Sequence, residues 1–195
     1  MVSIRLASTN DLPVIASIHK MSYSKIHLTS LFSNKLLEKY YSYFLDHDCK
    51  IFLSVQTICG QEEILGFVVC GINIGKKISL FKSQKKFQIL RDIIFYPIQI
   101  IKKILKDVYS SLLDTKISFI ETDFLILSIV SSKKVKGIGS ILLEYCRNYS
   151  LANNYKRIGL YVRVSNIPAI NTYLKNGYQI VGYTSGQYYM EQFNN

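Results

Sequence analysis

The sequence predicts a single domain of the α/β (mixed α+β) class, in which helices cover a twisted sheet. Segments with strand spacing and segments with helix spacing alternate along its 195 residues, which is typical of this class. Hydrophobic residues make up 49% of the chain and charged residues 19%, a balance that excludes intrinsic disorder. No internal repeat or low-complexity linker divides the chain, so we expect one domain over residues 1–195.

The chain is strongly basic, with 24 Lys and Arg, 13 Asp and Glu, and a formal net charge of +11. This favours anionic partners: phosphorylated cofactors, nucleic acid or an acidic membrane surface. The cysteines form no C-x-x-C pair, so we expect no metal site, no disulfide framework and reduced thiols in a cytoplasmic protein. No apolar stretch is long enough for a membrane span, and the first residues lack the order of a signal peptide.

The first half of the chain alternates strands and helices. Strands are predicted over residues 3–7, 50–56 and 64–73, with a turn at Gly60 between the last two. Asn10 or Asp11 can cap the first helix. Ser33 or Asn34 can begin the second, and both helices lie between the first two strands.

Residues 76–113 form a basic insertion. Between residues 76 and 106 there are nine Lys and Arg and one acidic residue, Asp92. Apolar residues recur at three- and four-residue steps, which predicts a basic amphipathic helix that is broken or kinked at Pro97. Three interpretations are open: a helical cover with its lysines in water, a lid over an anionic acceptor, or a helix in peripheral contact with a membrane surface. Duplex nucleic acid is less favoured, because no recognition motif accompanies the charge.

The second half of the chain continues the alternation. We predict a strand over residues 119–130, a helix over 137–153, a strand over 157–164, a short helix over 166–176 and a terminal hairpin over 178–193.

The stretch from Leu127 to Leu143 has the features of an anion site. A buried strand ends, a polar loop follows, and a helix opens on Gly137-Ile-Gly139. The first turn of a helix has unpaired N–H groups and a partial positive charge, and glycine lets a phosphate approach the backbone. Lys134 and Lys136 add positive charge. The loop is neither a Walker loop nor a three-glycine dinucleotide fingerprint.

A second motif lies between Asn166 and Tyr178. Asn166 can cap a helix that has Pro168 in its first turn. Tyr173 lies seven residues after Asn166, so both side chains can point the same way. Gly177 ends the helix.

Together the two motifs resemble the GNAT superfamily of acetyl-CoA-dependent N-acetyltransferases. The segment from Lys134 to Gly139 is similar to the family's acetyl-CoA loop, although it has Lys134 where Arg or Gln is usual and Ser131 where proline is frequent. The N-x-x-A-x-x-x-Y-x-x-x-G-F signature is matched by Asn166, Ala169, Tyr173, Gly177 and Tyr178. The resemblance implies a twisted, mostly antiparallel sheet of six to seven strands, with the basic insertion between the third and fourth strands.

The resemblance also implies a role for each matching residue, with acetyl-CoA as co-substrate. The strand backbone of Leu127, Ser128 and Ile129 would hold the pantetheine arm, which Asn166 would also contact. Tyr173 would lie at the cofactor and protonate the departing thiolate. The pyrophosphate would bind the N–H groups of Lys134, Val135, Lys136, Gly137, Ile138, Gly139 and Ser140.

The general base is left open by the sequence. Glu121 and Asp123 head the strand that resembles the family's fourth strand, where period two places both on one face. Asp123 is closer to the acetyl end by spacing. Both carboxylates can equally be solvated charges at a strand entrance. His27 is a further candidate.

We therefore expect an N-acetyltransferase that moves acetyl to a primary amine by direct attack, since neither motif contains a cysteine that could carry the acyl group. The net charge favours an anionic small-molecule acceptor such as a nucleotide-linked amino sugar. The alternatives are a protein or peptide amine, or a non-catalytic acyl-CoA-binding module. We expect a monomer or homodimer.

Overall fold

The computed structural model describes residues 2–23, 27–94, 96–98, 120–132 and 135–194. The strands are β1 (Val2–Leu6), β2 (Cys49–Ile58), β3 (Gln61–Gly71), β4 (Phe124–Ser131), β5 (Arg157–Arg163), β6 (Gln179–Thr184) and β7 (Gln187–Phe193). They form one sheet in the order β1-β2-β3-β4-β5-β7-β6. Neighbouring strands are antiparallel except β4 and β5, which are parallel. The predicted mixed α/β class and mostly antiparallel sheet are confirmed.

The helices of the described chain are α1 (Leu12–Ser22), α2 (Asn34–Ser42), α3 (Ile74–Gln84), α4 (Lys86–Ile93), α5 (Ile138–Ala152) and α6 (Ile167–Lys175). Pro13 lies in the first turn of α1, where its missing N–H is not needed. The Ser33 hydroxyl caps α2 by accepting a hydrogen bond from the backbone N–H of Leu36. Both helix starts agree with the sequence prediction.

The sheet separates two hydrophobic cores. The front core lies between the sheet and α1 to α4, around fully buried side chains such as Tyr41 and Phe67. The back core lies between the sheet and α5 and α6, around Leu142 and Ile158. Side chains of β4 alternate between the two cores, as the period of two requires.

The described part of the basic insertion forms α3 and α4, and the chain breaks between them at Lys85. We predicted the break at Pro97; that placement is wrong. Phe81 is buried between Phe32 and Tyr40, and the break after α3 lets Ile89 of α4 pack on the same front core. Residues 99–113 of the insertion lie outside the described residues.

Two other predictions of local structure need correction. Strand β4 begins at Phe124 rather than at residue 119. Strands β2 and β3 are each longer than predicted at the hairpin end, because Cys59 and Gly60, with φ of 50° and 77°, form a tight turn between them. Among the described residues, no helix is long and apolar enough to cross a membrane.

Candidate active site

The sheet opens between its two parallel strands. Strands β4 and β5 pair only where Phe124–Ile126 lie beside Ile158–Leu160. Beyond these residues β4 stays paired to β3 as far as Ser131, and β5 stays paired to β7 as far as Arg163. In the described structure the β5 side of Leu127 and the residues after it therefore has no strand partner. Such an edge can bind an extended ligand as an added strand.

A β-bulge lies at the point where the two strands part. Ser128 lies opposite Val69 in β3, whereas Ile126 lies opposite Cys70, so Leu127 is the extra residue on β4. Leu127 packs against the front core, and the Ser128 hydroxyl also points to that side, where it lies 2.8 Å from the Tyr23 phenol. The bulge thus turns two consecutive side chains to one face.

The start of α5 leaves open space at its glycines. Gly137 precedes the helix with φ of 87°, and a Cβ there would meet nothing within 4 Å among the described residues. A Cβ on Gly139 would reach only the Ser131 hydroxyl, at 3.7 Å, an ordinary contact. The fold therefore requires glycine at 137 for its left-handed backbone and does not require it at 139. Open space before a helix N-terminus fits a pyrophosphate.

The loop before α5 is anchored on one side of these glycines. Ile138 is buried in the back core, and Val135 packs against the same core. Lys136 is exposed, while Lys134 lies outside the described residues. This arrangement leaves the backbone N–H groups at the start of α5 accessible, as the anion-site prediction needs.

Helices α5 and α6 are tied together near the opening. The Asn176 amide donates to the Ser140 hydroxyl at 3.0 Å and to the Thr172 carbonyl at 2.8 Å. Gln192 of β7 donates to the Asn176 carbonyl at 2.8 Å. Gly177 follows with φ of 84° and ends α6 as predicted. Sequence reasoning did not find this link, because Asn176 and Ser140 belong to separate motifs.

Asn166 and Tyr173 lie on α6. Asn166 caps the helix through its side-chain oxygen, which accepts from the N–H of Ala169 at 3.4 Å. Tyr173 is 8% exposed, and its ring centroid is 5.9 Å from that of Tyr178. Burial raises the pKa of Tyr173, and the phenol of Tyr23 raises it further. Tyr173 and Tyr23 influence each other across the sheet because the strands part between them.

Glu121 and Asp123 both precede β4, so the prediction that they share a face of that strand is wrong. The N–H of Thr122 donates to the Tyr189 phenol at 2.8 Å and the Thr122 hydroxyl donates to the Phe124 carbonyl at 2.7 Å, which bends the chain here. Asp123 borders a surface depression together with Arg157 at the beginning of β5. The expectation that Asp123 is nearer the opening is therefore not supported.

Glu121 contacts the residue at which β5 leaves β4. The pKa of Tyr161 is raised by burial, and further by the charge and hydrogen bond of Glu121. Since Ile158 and Leu160 face the back core, Tyr161 faces the front. The Glu121 carboxylate therefore borders the front side of the opening.

Sequence reasoning assigned no function to His19, Tyr23 or Tyr41, which meet beside Ser128. His19 Nδ1 lies 2.6 Å from the Tyr41 phenol, and the His19 ring stacks on Tyr23 at 4.3 Å. Burial lowers the pKa of His19 to about 4, with smaller contributions from His27 and Lys20. The His27 ring lies 5.0 Å from that of Tyr23. A His and a Tyr four residues apart on α1 are neighbours on one helix face, but nothing in the sequence links them to Tyr41.

Residues 126–178 match the model of the acetyltransferase (GNAT) family. This segment contains the bulge, the start of α5 and α6. The PaiA N-acetyltransferase of Thermoplasma acidophilum, solved with coenzyme A, is similar over 99% of both chains, with 13% identity and a TM-score of 0.57. The chain has the GNAT fold.

Other GNAT structures are similar over nearly the whole chain. A chimera of the Vibrio cholerae spermidine N-acetyltransferase SpeG with hSSAT has 16% identity and a TM-score of 0.60, over 99% of this chain and 95% of that one. A GNAT acetyltransferase from Streptococcus pneumoniae has 17% identity and a TM-score of 0.57 over all of both chains. No curated protein sequence matches the chain. The resemblance drawn from the two sequence motifs is confirmed.

Proposed function

We propose that this protein is a single-domain N-acetyltransferase that moves acetyl from acetyl-CoA to a primary amine. The observation that carries the proposal is the separation of β4 from β5 at the Leu127 bulge, beside a helix that begins at Gly137. An extended arm fits the unpaired strand edge, and a pyrophosphate fits the open helix start. The GNAT match of residues 126–178 supports the same reaction.

In this proposal the described residues divide the binding of the cofactor. The backbone of Leu127, Ser128 and Ile129 holds the pantetheine, next to the Asn166 side chain. The N–H groups from residue 134 to Ser140 hold the pyrophosphate. When bound, acetyl-CoA supplies the activated acetyl group and leaves as a thiol.

Tyr173 is the proposed acid. Because the pKa of its phenol is raised, Tyr173 stays protonated at neutral pH. Each pKa unit by which a donor exceeds its acceptor costs about 1.4 kcal/mol on complete proton transfer. Tyr173 therefore stabilises the thiolate chiefly by donating a hydrogen bond to it.

Direct attack by the amine agrees with where the cysteines lie. Cys49, Cys70 and Cys146 are buried, and Cys59 lies on the hairpin turn between β2 and β3. Cys70 and Cys146 touch each other at 3.7 Å inside the back core. A buried thiol cannot reach an incoming acyl donor, so an acyl-cysteine route is not favoured.

We propose Glu121 rather than Asp123 as the carboxylate that receives a proton from the amine. Glu121 borders the front side of the opening through Tyr161, whereas Asp123 lies beside Arg157 at the other end of the paired segment. A water molecule can complete the path from an amine to an exposed carboxylate.

The basic helices α3 and α4 act first as a cover. Phe81 and Ile89 pack on the front core, and the N–H of Ser33 donates to the Asp92 carboxylate at 2.7 Å. Lys82 and Lys86 remain exposed. Because these helices lie on the same face as Glu121 and Tyr23, we keep an anionic amine, such as a nucleotide-linked amino sugar, as the proposed acceptor.

A panel of amines tests the proposal. The purified protein is assayed with acetyl-CoA and a nucleotide-linked amino sugar, glucosamine 6-phosphate, spermidine or a lysine-containing peptide, at two salt concentrations. We expect the anionic amines to have the highest kcat/KM, and salt to lower it. Spermidine as best substrate would overturn the anionic acceptor but keep the reaction. Binding of acetyl-CoA with no transfer to any amine would indicate a non-catalytic module.

We propose a monomer or homodimer as the assembly. One spermidine N-acetyltransferase of Vibrio cholerae with the same fold is a dodecamer, so the two outcomes differ strongly in mass. Light scattering coupled to gel filtration separates them, and a mass above that of a dimer would contradict the proposal.

A further inference from the structure

Four polar side chains form a line from the front core to the opening between β4 and β5. His19 Nδ1 lies 2.6 Å from the Tyr41 phenol, and Ser128 Oγ lies 2.8 Å from the Tyr23 phenol. Tyr41 and Ser128 join the two pairs: burial raises the pKa of Tyr41 strongly, and a hydrogen bond from Ser128 opposes that rise. We call these four residues the hydroxyl chain. Its outer end is Tyr23, at the last residue before the described chain breaks off.

His19 fixes the direction of the hydrogen bonds in the hydroxyl chain. Its ring is 3% exposed and, with a pKa of about 4, neutral at pH 7. The charged groups that act on it are Lys20 on the same helix and His27 beyond Tyr23. A phenol is a stronger acid than a neutral imidazole, and an imidazole nitrogen is the stronger base. Tyr41 therefore donates its proton to Nδ1.

The remaining directions follow because each hydroxyl has a single proton. The Tyr41 proton is used on His19, so the Tyr41 oxygen accepts from the Ser128 hydroxyl. The Ser128 proton is then used as well, so Ser128 Oγ accepts from Tyr23. Tyr23 thus spends its proton inside the hydroxyl chain and has an oxygen lone pair left to accept a further hydrogen bond.

The placement of Tyr23 directs that lone pair to the reaction. Ser128 is the residue after the bulge at which β4 leaves β5, so its partner Tyr23 lies on the front side of the opening. Tyr173 lies on the back side, and its pKa responds to the Tyr23 phenol. The two phenols therefore flank the position at which the acyl group and the amine must meet.

We propose that Tyr23 binds the acceptor amine, its phenol oxygen accepting an N–H hydrogen bond, and that His19, Tyr41 and Ser128 are positioning residues that keep this phenol an acceptor. The inference rests on the proposed function, and it names a substrate-binding residue outside the matched segment 126–178. An amine that donates its N–H to Tyr23 keeps its nitrogen lone pair free for attack. No bond is made or broken in this step, and the amine proton leaves by another route.

An unusual feature of His19 supports a role at Nδ1. Its Nε2 is buried, with no hydrogen-bond partner within the described part of the chain. A buried nitrogen without a partner lowers stability, so the fold alone gives no reason for an imidazole here. The bond between Nδ1 and Tyr41 does give one.

Steady-state kinetics on Phe variants test the inference, using the amine of the panel that has the highest kcat/KM. Tyr23→Phe keeps the ring that stacks on His19 and removes only the oxygen. We expect the amine KM to rise about tenfold or more, because one hydrogen bond is lost, while the acetyl-CoA KM changes less than twofold. Tyr41→Phe breaks the chain further in, and we expect a loss of about threefold to tenfold.

The double variant separates a chain from two independent structural effects. If Tyr41 acts only through Tyr23, the Tyr23→Phe/Tyr41→Phe double variant loses no more than Tyr23→Phe alone. Additive losses would overturn the positioning role. Tyr43→Phe is the matched control, since its phenol lies at the end of the same helix and donates to Gln84 instead; we expect unchanged kinetics. Should Tyr41→Phe not fold, Ser128→Ala interrupts the chain without altering a buried ring.

The outcomes distinguish this inference from the proposed function. A wild-type protein that binds acetyl-CoA and acetylates no amine overturns the proposed function. A wild-type protein that acetylates an amine, together with a Tyr23→Phe variant whose amine KM is unchanged, overturns the inference and leaves the proposed function intact.

Discussion

At the scale of single residues, burial sets the protonation of the groups beside the opening. Tyr173 and His19 are both less than a tenth exposed, and each is held in its neutral form: the pKa of the phenol is raised and that of the imidazole is lowered. A neutral phenol donates and a neutral imidazole nitrogen accepts. The front and back sides of the opening therefore present groups of fixed and different hydrogen-bonding character.

Replacing Tyr173 with Phe should slow the reaction without weakening cofactor binding. Loss of a general acid or of the hydrogen bond that stabilises the leaving thiolate lowers kcat by roughly 10²-fold, and calorimetry should give an unchanged Kd for CoA. Tyr178→Phe is the control, since its buried hydroxyl has no hydrogen-bond partner among the described residues. A Tyr173→Phe variant within twofold of wild-type kcat would assign protonation to another group.

The raised pKa of Tyr173 also predicts the alkaline behaviour of the enzyme. A group whose pKa lies above its ordinary value of 10.0 remains protonated as the pH rises to about 9. The kcat of the wild-type protein should therefore show no fall from Tyr173 between about pH 7 and 9. A fall that disappears in Tyr173→Phe would contradict this.

His19 makes the stability of the fold depend on pH. Its pKa is about 4 in the folded protein against 6.5 unfolded, so the unfolded state binds the proton more tightly. Its contribution is therefore complete above about pH 6.5 and lost as the pH falls towards 4, by about 3 kcal/mol in the free energy of unfolding. Urea titrations should show that slope reduced in His19→Gln and retained in His47→Gln, since His47 is fully exposed. Equal slopes in both variants would contradict the assignment.

At the scale of elements, the start of α5 separates the demands of the fold from those of the ligand. Gly137 has a left-handed backbone, whereas Gly139 lies in the first turn with room for a methyl group. A side chain at 137 is strained whatever the space around it.

We therefore expect Gly137→Ala to lower the free energy of unfolding by about 1–2 kcal/mol, and Gly137→Asn to lower it less, because Asn tolerates this conformation. Gly139→Ala should leave stability equal or slightly higher but weaken CoA binding tenfold or more by filling the approach to the backbone. Calorimetry and urea unfolding measure the two effects. Unchanged CoA affinity in Gly139→Ala would remove the pyrophosphate from this turn.

The order of the elements and both ends of the anion loop could be predicted from sequence, because caps, glycines and apolar spacing are local signals. Ser33 and Asn166 cap helices as expected, and Gly177 ends one. The bulge at Leu127 and the early end of the β4–β5 pairing could not be predicted, since register depends on neighbouring strands. Glu121 was misplaced for that reason. The hydroxyl chain joins three separate elements and has no sequence pattern.

At the scale of the whole molecule, the two cores share the central strands. Phe67 and Val69 of β3 belong to the front core, and Val68 and Cys70 of the same strand belong to the back core. Loss of one core removes half of the packing from the sheet that supports the other. The chain should therefore unfold as one unit.

Circular dichroism and tyrosine fluorescence should give the same urea midpoint, with no plateau. Phe81→Ala, which empties a buried site in the front core, should lower that midpoint for both probes and cost about 3–5 kcal/mol. Two separate midpoints would contradict the single domain proposed for residues 1–195.

The hairpin turn between β2 and β3 offers a clock for internal opening. Cys59 is exposed on that turn, while Cys49, Cys70 and Cys146 are buried. A short pulse of maleimide on the native protein should add one label, and each later label should appear only as fast as a core opens locally. Since Cys70 on β3 and Cys146 on α5 are in contact, their labelling rate reports how often α5 lifts away from the sheet. Comparing that rate with and without coenzyme A would show whether the ligand holds the helix down.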